Sequence, residues 1–412
     1  MTTTAPASEA AAPAGRAAHV SFAVLALALG GFAIGTTEFV TMGLLPEIAA
    51  GVGVSIPQAG HVISAYALGV VVGAPLIAIF GAKLPRRALL VGLMAAYGAF
   101  NLLSAAATTY NLLFVARFLD GLPHGAYFGV ASLVAASLAP PGRQGRAVAS
   151  VMLGLSVANV IGVPVATWLG QQVGWRSAYV ASAAIAFATV LMILLFVPSC
   201  PGNREATGRR EMQFFRNGQA MLTLLAGAIG FGGLFAVYSY IAPTVTEVAG
   251  LPASTVPVFT AGFGLGMVSG TWLAGRLAEW SVFRSLILAG VASCFVMILV
   301  WLAAPHGWVL LPVVFLVTAI GSVLVVNLQI RLMAVSGEAQ TLGAAMNHAS
   351  LNVANALGAW LGGLVIAAGY GYRAPALVGA ALSLLGIVVL LWSATLQRRS
   401  NDAVAYSLAS RS

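Results

Sequence analysis

Three ionisable side chains lie within eight residues of one apolar stretch: Arg117, Asp120 and His124 in Arg-Phe-Leu-Asp-Gly-Leu-Pro-His-Gly-Ala-Tyr-Phe-Gly, residues 117–129. On a helix, Arg117, Asp120, Gly121 and His124 stand at i, i+3, i+4 and i+7 and share one face. Exposing an arginine to hydrocarbon costs at least ~2.5 kcal/mol, so that face must turn inward, toward a counter-charge or a polar path. One further acid, Glu38, interrupts the apolar run 20–45. Glu38 lies about seven residues from one end of its run and Arg117 about six from the same end of its own, which puts both ~9–10 Å below that surface. A Glu38–Arg117 contact is therefore feasible. Two carboxylates competing for one guanidinium is chemistry suited to taking up and releasing a proton, because the cation favours ionisation while burial and the second acid oppose it. His124 could extend the relay, its ordinary pKa being near neutrality, or be a neutral hydrogen-bonding side chain between helices.

The elements that must position these groups follow from composition. Of 412 residues, 60% are hydrophobic and 7% charged, too few charges for a water-facing surface. The chain reads as an all-α polytopic membrane protein. Twelve apolar stretches of about the ~20 residues a helix needs to cross hydrocarbon span 20–45, 58–80, 88–108, 111–138, 147–170 and 177–197, then 219–241, 255–277, 283–304, 307–333, 341–368 and 374–396. They make an N-terminal six-helix half (19–197) and a C-terminal one (219–396), flanked by a Pro/Ala-rich disordered tail (1–18), a charged linker (198–218) and a polar tail (397–412). The run from Val20 is too long for a signal-peptide core.

Net charge is +9, and all Lys and Arg except Arg117, Arg176 and Arg373 fall on the face that carries the linker. The positive-inside rule puts that face, with both termini, in the cytoplasm. The basic excess is a topology signal and not a nucleic-acid surface. Cys200 and Cys294 lack metal-ligand spacing, so neither a disulfide framework nor a metal site is expected.

The halves repeat. Ala158-Asn159-Val-Ile-Gly162 recurs as Ala354-Asn355-Ala-Leu-Gly358 and Gly174-Trp175-Arg176 as Gly371-Tyr372-Arg373, while Gly69, Gly73 and Lys83-Leu84 match Gly262, Gly266 and Arg276-Leu277. Three matches in one order at nearly one offset indicate a duplicated six-helix unit, a construction common among secondary transporters. The second half is almost free of intramembrane charge, but His348, Asn352 and Asn355 share one helix face, with Asn347 beside them and Asn159 at the equivalent position of span 5. These can line a central cavity and hydrogen-bond a polar substrate, with Tyr66, Tyr127, Trp168, Tyr238 and Tyr240 as aromatic surface; the alternative is interhelical bonding and interfacial anchoring.

Twelve spans, the duplication and the charged central loop resemble the major facilitator superfamily. The loop Phe80-Gly-Ala-Lys83-Leu-Pro-Arg86-Arg87 is similar to that family's cytoplasmic gating motif, with Ala82 at its acidic position and Pro85 at its later glycine; Arg276 stands in the second-half counterpart. The resemblance implies a gating role for Lys83, Arg86, Arg87 and Arg276, topology signalling being the alternative. Gly154 followed by Gly162-Val-Pro164 resembles the antiporter motif of span 5, with an extra residue before the proline and no terminal glycine pair. Gly35-Thr-Thr-Glu38-Phe-Val-Thr-Met-Gly-Leu-Leu-Pro46, His124-Gly125-Ala126 and Gly174-Trp175-Arg176 resemble bacterial proton-coupled exporters of the arabinose (sugar) efflux and chloramphenicol resistance type. That resemblance implies proton-coupled efflux of a small organic compound, a drug or a sugar, by alternating access; the alternative is a proton symporter importing a sugar or nucleoside. The implied proton-coupling residues are Glu38, Arg117, Asp120 and His124. The expected partners are substrate, protons and the lipid bilayer, with no nucleic acid and no cofactor, and the resemblance implies a carrier that works as a monomer in a bacterial cytoplasmic (inner) membrane. An enzyme is excluded for lack of parts: there is no His-Glu-x-x-His site and no P-loop.

Overall fold

The structure is a computed structural model that describes residues 14–81, 83–140, 144–199, 201, 214–335 and 340–409. Residues 1–13, Ala82, Arg143, Cys200, most of the expected linker with Arg204, Arg209 and Arg210, and Arg411 lie outside the described residues. Among the described residues, ten helical segments are long and apolar enough to cross a membrane. The longest, Ala253–Ala303, holds two spans, because Ser281 breaks it with φ −173° and ψ 113°. The Ser281 hydroxyl accepts from the Arg284 amide at 3.4 Å and so caps the second of them. Tyr110–Leu138, which carries Arg117 and Asp120, completes the twelve expected spans. Spans 1 to 12 are numbered here in chain order.

Local sequence explains where most spans begin and end. Thr109 and Asn217 accept backbone N–H groups at the starts of spans 4 and 7. Gly174 and Gly371, at φ 107° and 73°, close spans 5 and 11 in a conformation that only glycine adopts freely. Span 1 begins at Ala14 rather than 20, and the helix of span 12 runs on to Ala409, well past the expected 396. No Pro or Gly occurs in 397–409 to stop it. In span 5, Ala158–Gly162 forms a π-helical turn in which the Val163 amide reaches the Ala158 carbonyl, just before Pro164, whose missing N–H removes the next ordinary helical bond.

The duplication is visible as matched packing. Gly69 and Gly73 of span 2 lie against the backbone of span 4, where an added Cβ would stand 2.1 Å from the Phe118 carbonyl and 2.2 Å from that of Leu122. Their counterparts Gly262 and Gly266 lie against span 10, Gly266 2.3 Å from the Phe315 carbonyl. At the membrane end away from the linker, Arg176 donates to the Ala107 carbonyl at 2.8 Å, and Arg373 donates through Nε and Nη2 to that of Trp301 at 3.0 and 2.7 Å. Each arginine thus closes the C-terminus of span 3 or 9, where free carbonyls favour a cation.

The halves meet along spans 2 and 11 and along spans 5 and 8. Ser64 donates to the Ala356 carbonyl at 3.1 Å, and Gly264 approaches the Asn159 carbonyl so closely that a Cβ would stand 2.2 Å away. Toward the far end, Phe39 of span 1 packs among Phe235, Tyr238 and Phe263 of the second half, and Gln171 donates to the Ala253 carbonyl at 2.9 Å. Large apolar side chains such as Leu195, Trp272 and Phe295 are exposed around the outside, where lipid would cover them.

Gly266→Ile forces a branched side chain into the Phe315 backbone and is expected to cost on the order of 3 kcal/mol, abolishing a monodisperse peak in size-exclusion chromatography. Gly92→Ala, with nothing within 4 Å of the added methyl, is expected to run as wild type.

Candidate functional site

Arg117 and Asp120 form the one ion pair among the described residues, Nη1 to Oδ2 at 2.5 Å, with both side chains fully buried. The contact is within span 4. Of the two carboxylates considered for Arg117, Asp120 holds it. Glu38 is buried and within electrostatic reach of the guanidinium, but no hydrogen bond joins them. The three-residue spacing makes the Asp120 contact the shorter path, since the groups share a helix face.

Neighbouring helices complete a polar network. Asn101 of span 3 donates to Asp120 Oδ1 at 2.6 Å, and Thr37 of span 1 donates to Asn101 Oδ1 at 3.0 Å. The guanidinium lies 4.3 Å from the Tyr66 ring and 5.3 Å from that of Tyr179. Two aromatic faces thus stabilise a desolvated cation. The Tyr66 hydroxyl meets His124 Nδ1 at 2.9 Å and the Tyr97 hydroxyl at 3.3 Å, while Tyr179 meets Thr41 at 2.9 Å. Nε and Nη2 of Arg117 are buried and have no hydrogen-bond partner.

The residues expected to bind substrate separate into several environments. Tyr66 belongs to the charge network. Tyr127 is buried and donates to the Leu27 carbonyl at 2.8 Å, packed against Gly30 of span 1. His348 stacks on Phe128 across the interface at 5.7 Å, and His124 contacts the same ring edge-on, so the two histidines flank one phenylalanine. Asn352 donates to the His348 carbonyl and leaves Oδ1 unpartnered; Asn355 has neither side-chain polar atom bonded; Asn159 bonds the Leu155 carbonyl and leaves Oδ1 unpartnered. No hydrogen bond links Asn159 to the span 11 asparagines among the described residues. Tyr238 is buried with its hydroxyl unpartnered, Tyr240 donates to the Ala359 carbonyl at 2.7 Å, and Trp168 is exposed on the outer surface.

Of the residues expected to gate, Arg87 donates to the Leu194 carbonyl, Arg276 stacks on Trp272 at 3.9 Å, Lys83 is exposed and Arg86 is partly exposed. Gly154 meets the Ala28 carbonyl of span 1, and Gly162 meets Thr36. Asn101, Tyr97, Tyr179 and Thr37 escaped the sequence reading. Asn101 had a usable signal, a lone amide four residues after Tyr97 in an apolar run. Arg331, counted there with the loop cations, is buried.

The profile of the Major Facilitator Superfamily matches residues 27–347. The chain belongs to the Major Facilitator Superfamily. It is 39% identical over 386 residues to the inner membrane transport protein YdhP of Escherichia coli (strain K12), covering 92% of this chain and 97% of that protein. It is 33% identical over 336 residues to the chloramphenicol resistance protein of Streptomyces lividans, covering 81% and 86%. The crystal structure of a mutant of the nucleoside transporter NupG superposes with a TM-score of 0.72 over 91% of this chain and 99% of that one, at 13% identity. The protein is thus a multi-pass membrane transporter and not an enzyme, and the buried charges belong to a carrier.

Asp120→Ala strands Arg117 in the membrane interior and is expected to destabilise by about 3–5 kcal/mol. The double variant Arg117→Met, Asp120→Leu is expected to recover most of that loss of stability while losing transport. Thermal unfolding in detergent checks the ordering of the two.

Proposed function

We propose that this transporter exports a small organic compound, a drug or a sugar, in exchange for protons, from the cytoplasmic membrane of a bacterium. The observation that carries the reading is the buried Arg117, satisfied by Asp120 on one side with Nε and Nη2 unpartnered and Glu38 nearby. A guanidinium between two carboxylates holds either, and protonating one releases it to the other without leaving a cation unpaired. His124 and Tyr66 extend the network by one hydrogen bond. In this cycle Glu38 binds the proton, Arg117 changes partner and Asp120 serves as the alternate counter-ion.

The export direction is supported by the likeness to a chloramphenicol resistance protein. The inner membrane is supported by the likeness to YdhP, and a cytoplasmic linker and termini by the basic residues gathered on that face. On this reading the halves 19–197 and 219–396 rock about their shared interface, joined by 198–218, within a single protomer. Asn159, Asn352 and Asn355 offer the substrate unpaired buried amide groups, which a polar ligand satisfies, and His348 adds an imidazole on the same face of span 11 as Asn352 and Asn355. Gly154, Gly162 and Pro164 supply the close crossing and the π-turn in span 5, while Lys83, Arg86, Arg87 and Arg276 hold the cytoplasmic ends.

Expressed in an efflux-deficient host, the wild type is expected to raise tolerance to a phenicol or lower the retention of an arabinose-like sugar. In proteoliposomes, Glu38→Gln is expected to bind substrate and to lose accumulation driven by a pH gradient; unimpaired pH-driven transport would rule out Glu38 as the proton carrier. Uptake that rises with an inward proton gradient in cells would mark an importer instead. Asn352→Ala is expected to weaken substrate binding about tenfold at unchanged expression, one hydrogen bond's worth, by equilibrium titration.

A further inference from the structure

A second buried guanidinium lies in the other half, and among the described residues no acid pairs with it. Arg331 stands four residues from the linker end of span 10, about 6 Å below it, and is 9% exposed. Its Nε donates to Thr223 at 3.3 Å, and its Nη2 donates to Ser393 at 3.0 Å, Gln219 at 3.3 Å and Gln397 at 3.4 Å. Ser393 in turn donates to Gln219 at 2.6 Å. The Phe283 ring covers the group at 5.2 Å. Every one of these partners is neutral.

Neutral acceptors satisfy hydrogen-bonding capacity but leave the unit charge, and a cation drawn from water into a protein at a membrane boundary remains unstable until an anion joins it. The described acids do not supply one. Glu38 and Asp120 serve the first half, and Glu279, at the same membrane end, is exposed and outside ion-pairing distance. Arg331 is therefore built unlike Arg117. Spans 7 and 12 grip two of its nitrogens and fix its plane, while no hydrogen bond from Nη1 is seen among the described residues and the residue keeps a little of its surface exposed. Arg284, following Phe283 and stacked on Trp280 at 5.6 Å, brings a second cation to the same end. A fixed guanidinium edge at headgroup depth, with another cation at the same membrane end, matches a phosphate group in charge and geometry.

We propose that the Arg331 cluster between spans 7, 10 and 12 binds a phosphate group at the linker-side membrane surface, that of a phospholipid headgroup or of a soluble phosphate. The polar set that grips the guanidinium pre-orders it, so binding needs no side-chain rearrangement in the second half.

Thermal unfolding of the delipidated full-length protein in neutral detergent tests this, with phosphatidylglycerol, inorganic phosphate or phosphate-free diacylglycerol added. Phosphatidylglycerol is expected to raise the midpoint of the wild type and to lose that effect in Arg331→Gln, with diacylglycerol inactive. A shift with inorganic phosphate as large as with the lipid would identify a soluble phosphate as the source. Gln219→Glu places a carboxylate beside Nη2 and is expected to give a folded protein indifferent to both additives, which keeps the test open if Arg331→Gln does not fold. Equal shifts in wild type and Gln219→Glu, a full effect of diacylglycerol alone, or no response of the wild type to either phosphate would overturn the proposal.

Discussion

The ion pair between Arg117 and Asp120 constrains everything around it. A charge in hydrocarbon is tolerated only when sealed inside protein, so span 4 must turn this face inward, and the surrounding helices must supply polar or aromatic surface at that level. The means is visible in Gly121. Its missing Cβ lets the backbone of span 2 come so close that an added methyl would stand 2.1 Å from the Tyr66 carbonyl, and that approach lays the Tyr66 ring 4.3 Å from the guanidinium. A glycine that reads as packing is thus what allows an aromatic face to cover a cation. The same geometry puts the Tyr66 hydroxyl on His124 and links a charge to an imidazole through one side chain.

The duplicated unit supplies the scaffold twice and the buried ion pair, among the described residues, once. Glycine crossings between spans 2 and 4 and between 8 and 10, and arginine clamps on the ends of spans 3 and 9, serve both halves alike. Where span 4 carries its charges, the corresponding part of span 10 reads Leu-Leu-Pro-Val-Val-Phe-Leu-Val-Thr, and Thr318 bonds the Phe263 carbonyl instead. The glycine and arginine features determine how helices pack, and the fold needs them in either half. The charges do not contribute to packing economy, since a well-packed apolar pair is often as stable as a buried ionic one. Their presence in span 4 and absence from the matching part of span 10 therefore separate the halves where packing does not.

The number of spans, the repeat and the inward charged face of span 4 were legible because they depend on period and composition, which a chain carries along its length. The contacts were harder. Glu38 and Arg117 are level in depth, yet depth says nothing of rotation about the helix axis, and Asp120 was already on Arg117's own face. Asn101, Tyr97 and Tyr179 reach the site from two other helices, and only the packed arrangement decides which way each turns. Arg331 was hidden by its position: an arginine four residues from a span end looks like a loop cation until the glutamines and serine of two other helices are seen to hold it. The overrun of span 12 is a local backbone outcome that hydropathy does not encode, whereas the break at Ser281 lies in the gap expected between spans 8 and 9.

Glu38 and Phe39 are adjacent in sequence and serve different halves of the molecule. Consecutive helical residues point about 100° apart, so one side chain lies within reach of Arg117 inside the first half while the next enters the ring cluster of Phe235, Tyr238 and Phe263 in the second. Because both ride on one rigid helix, a rotation of span 1 that alters the distance from Glu38 to Arg117 turns Phe39 through the same angle against those rings. Aromatic packing at an interface has few alternative arrangements, since close-packed rings either interdigitate or separate. The electrostatics of a single carboxylate are in this way joined mechanically to the seam between the halves, with no intervening side chain, and that juxtaposition is available only because the acid sits beside the phenylalanine and not one turn away.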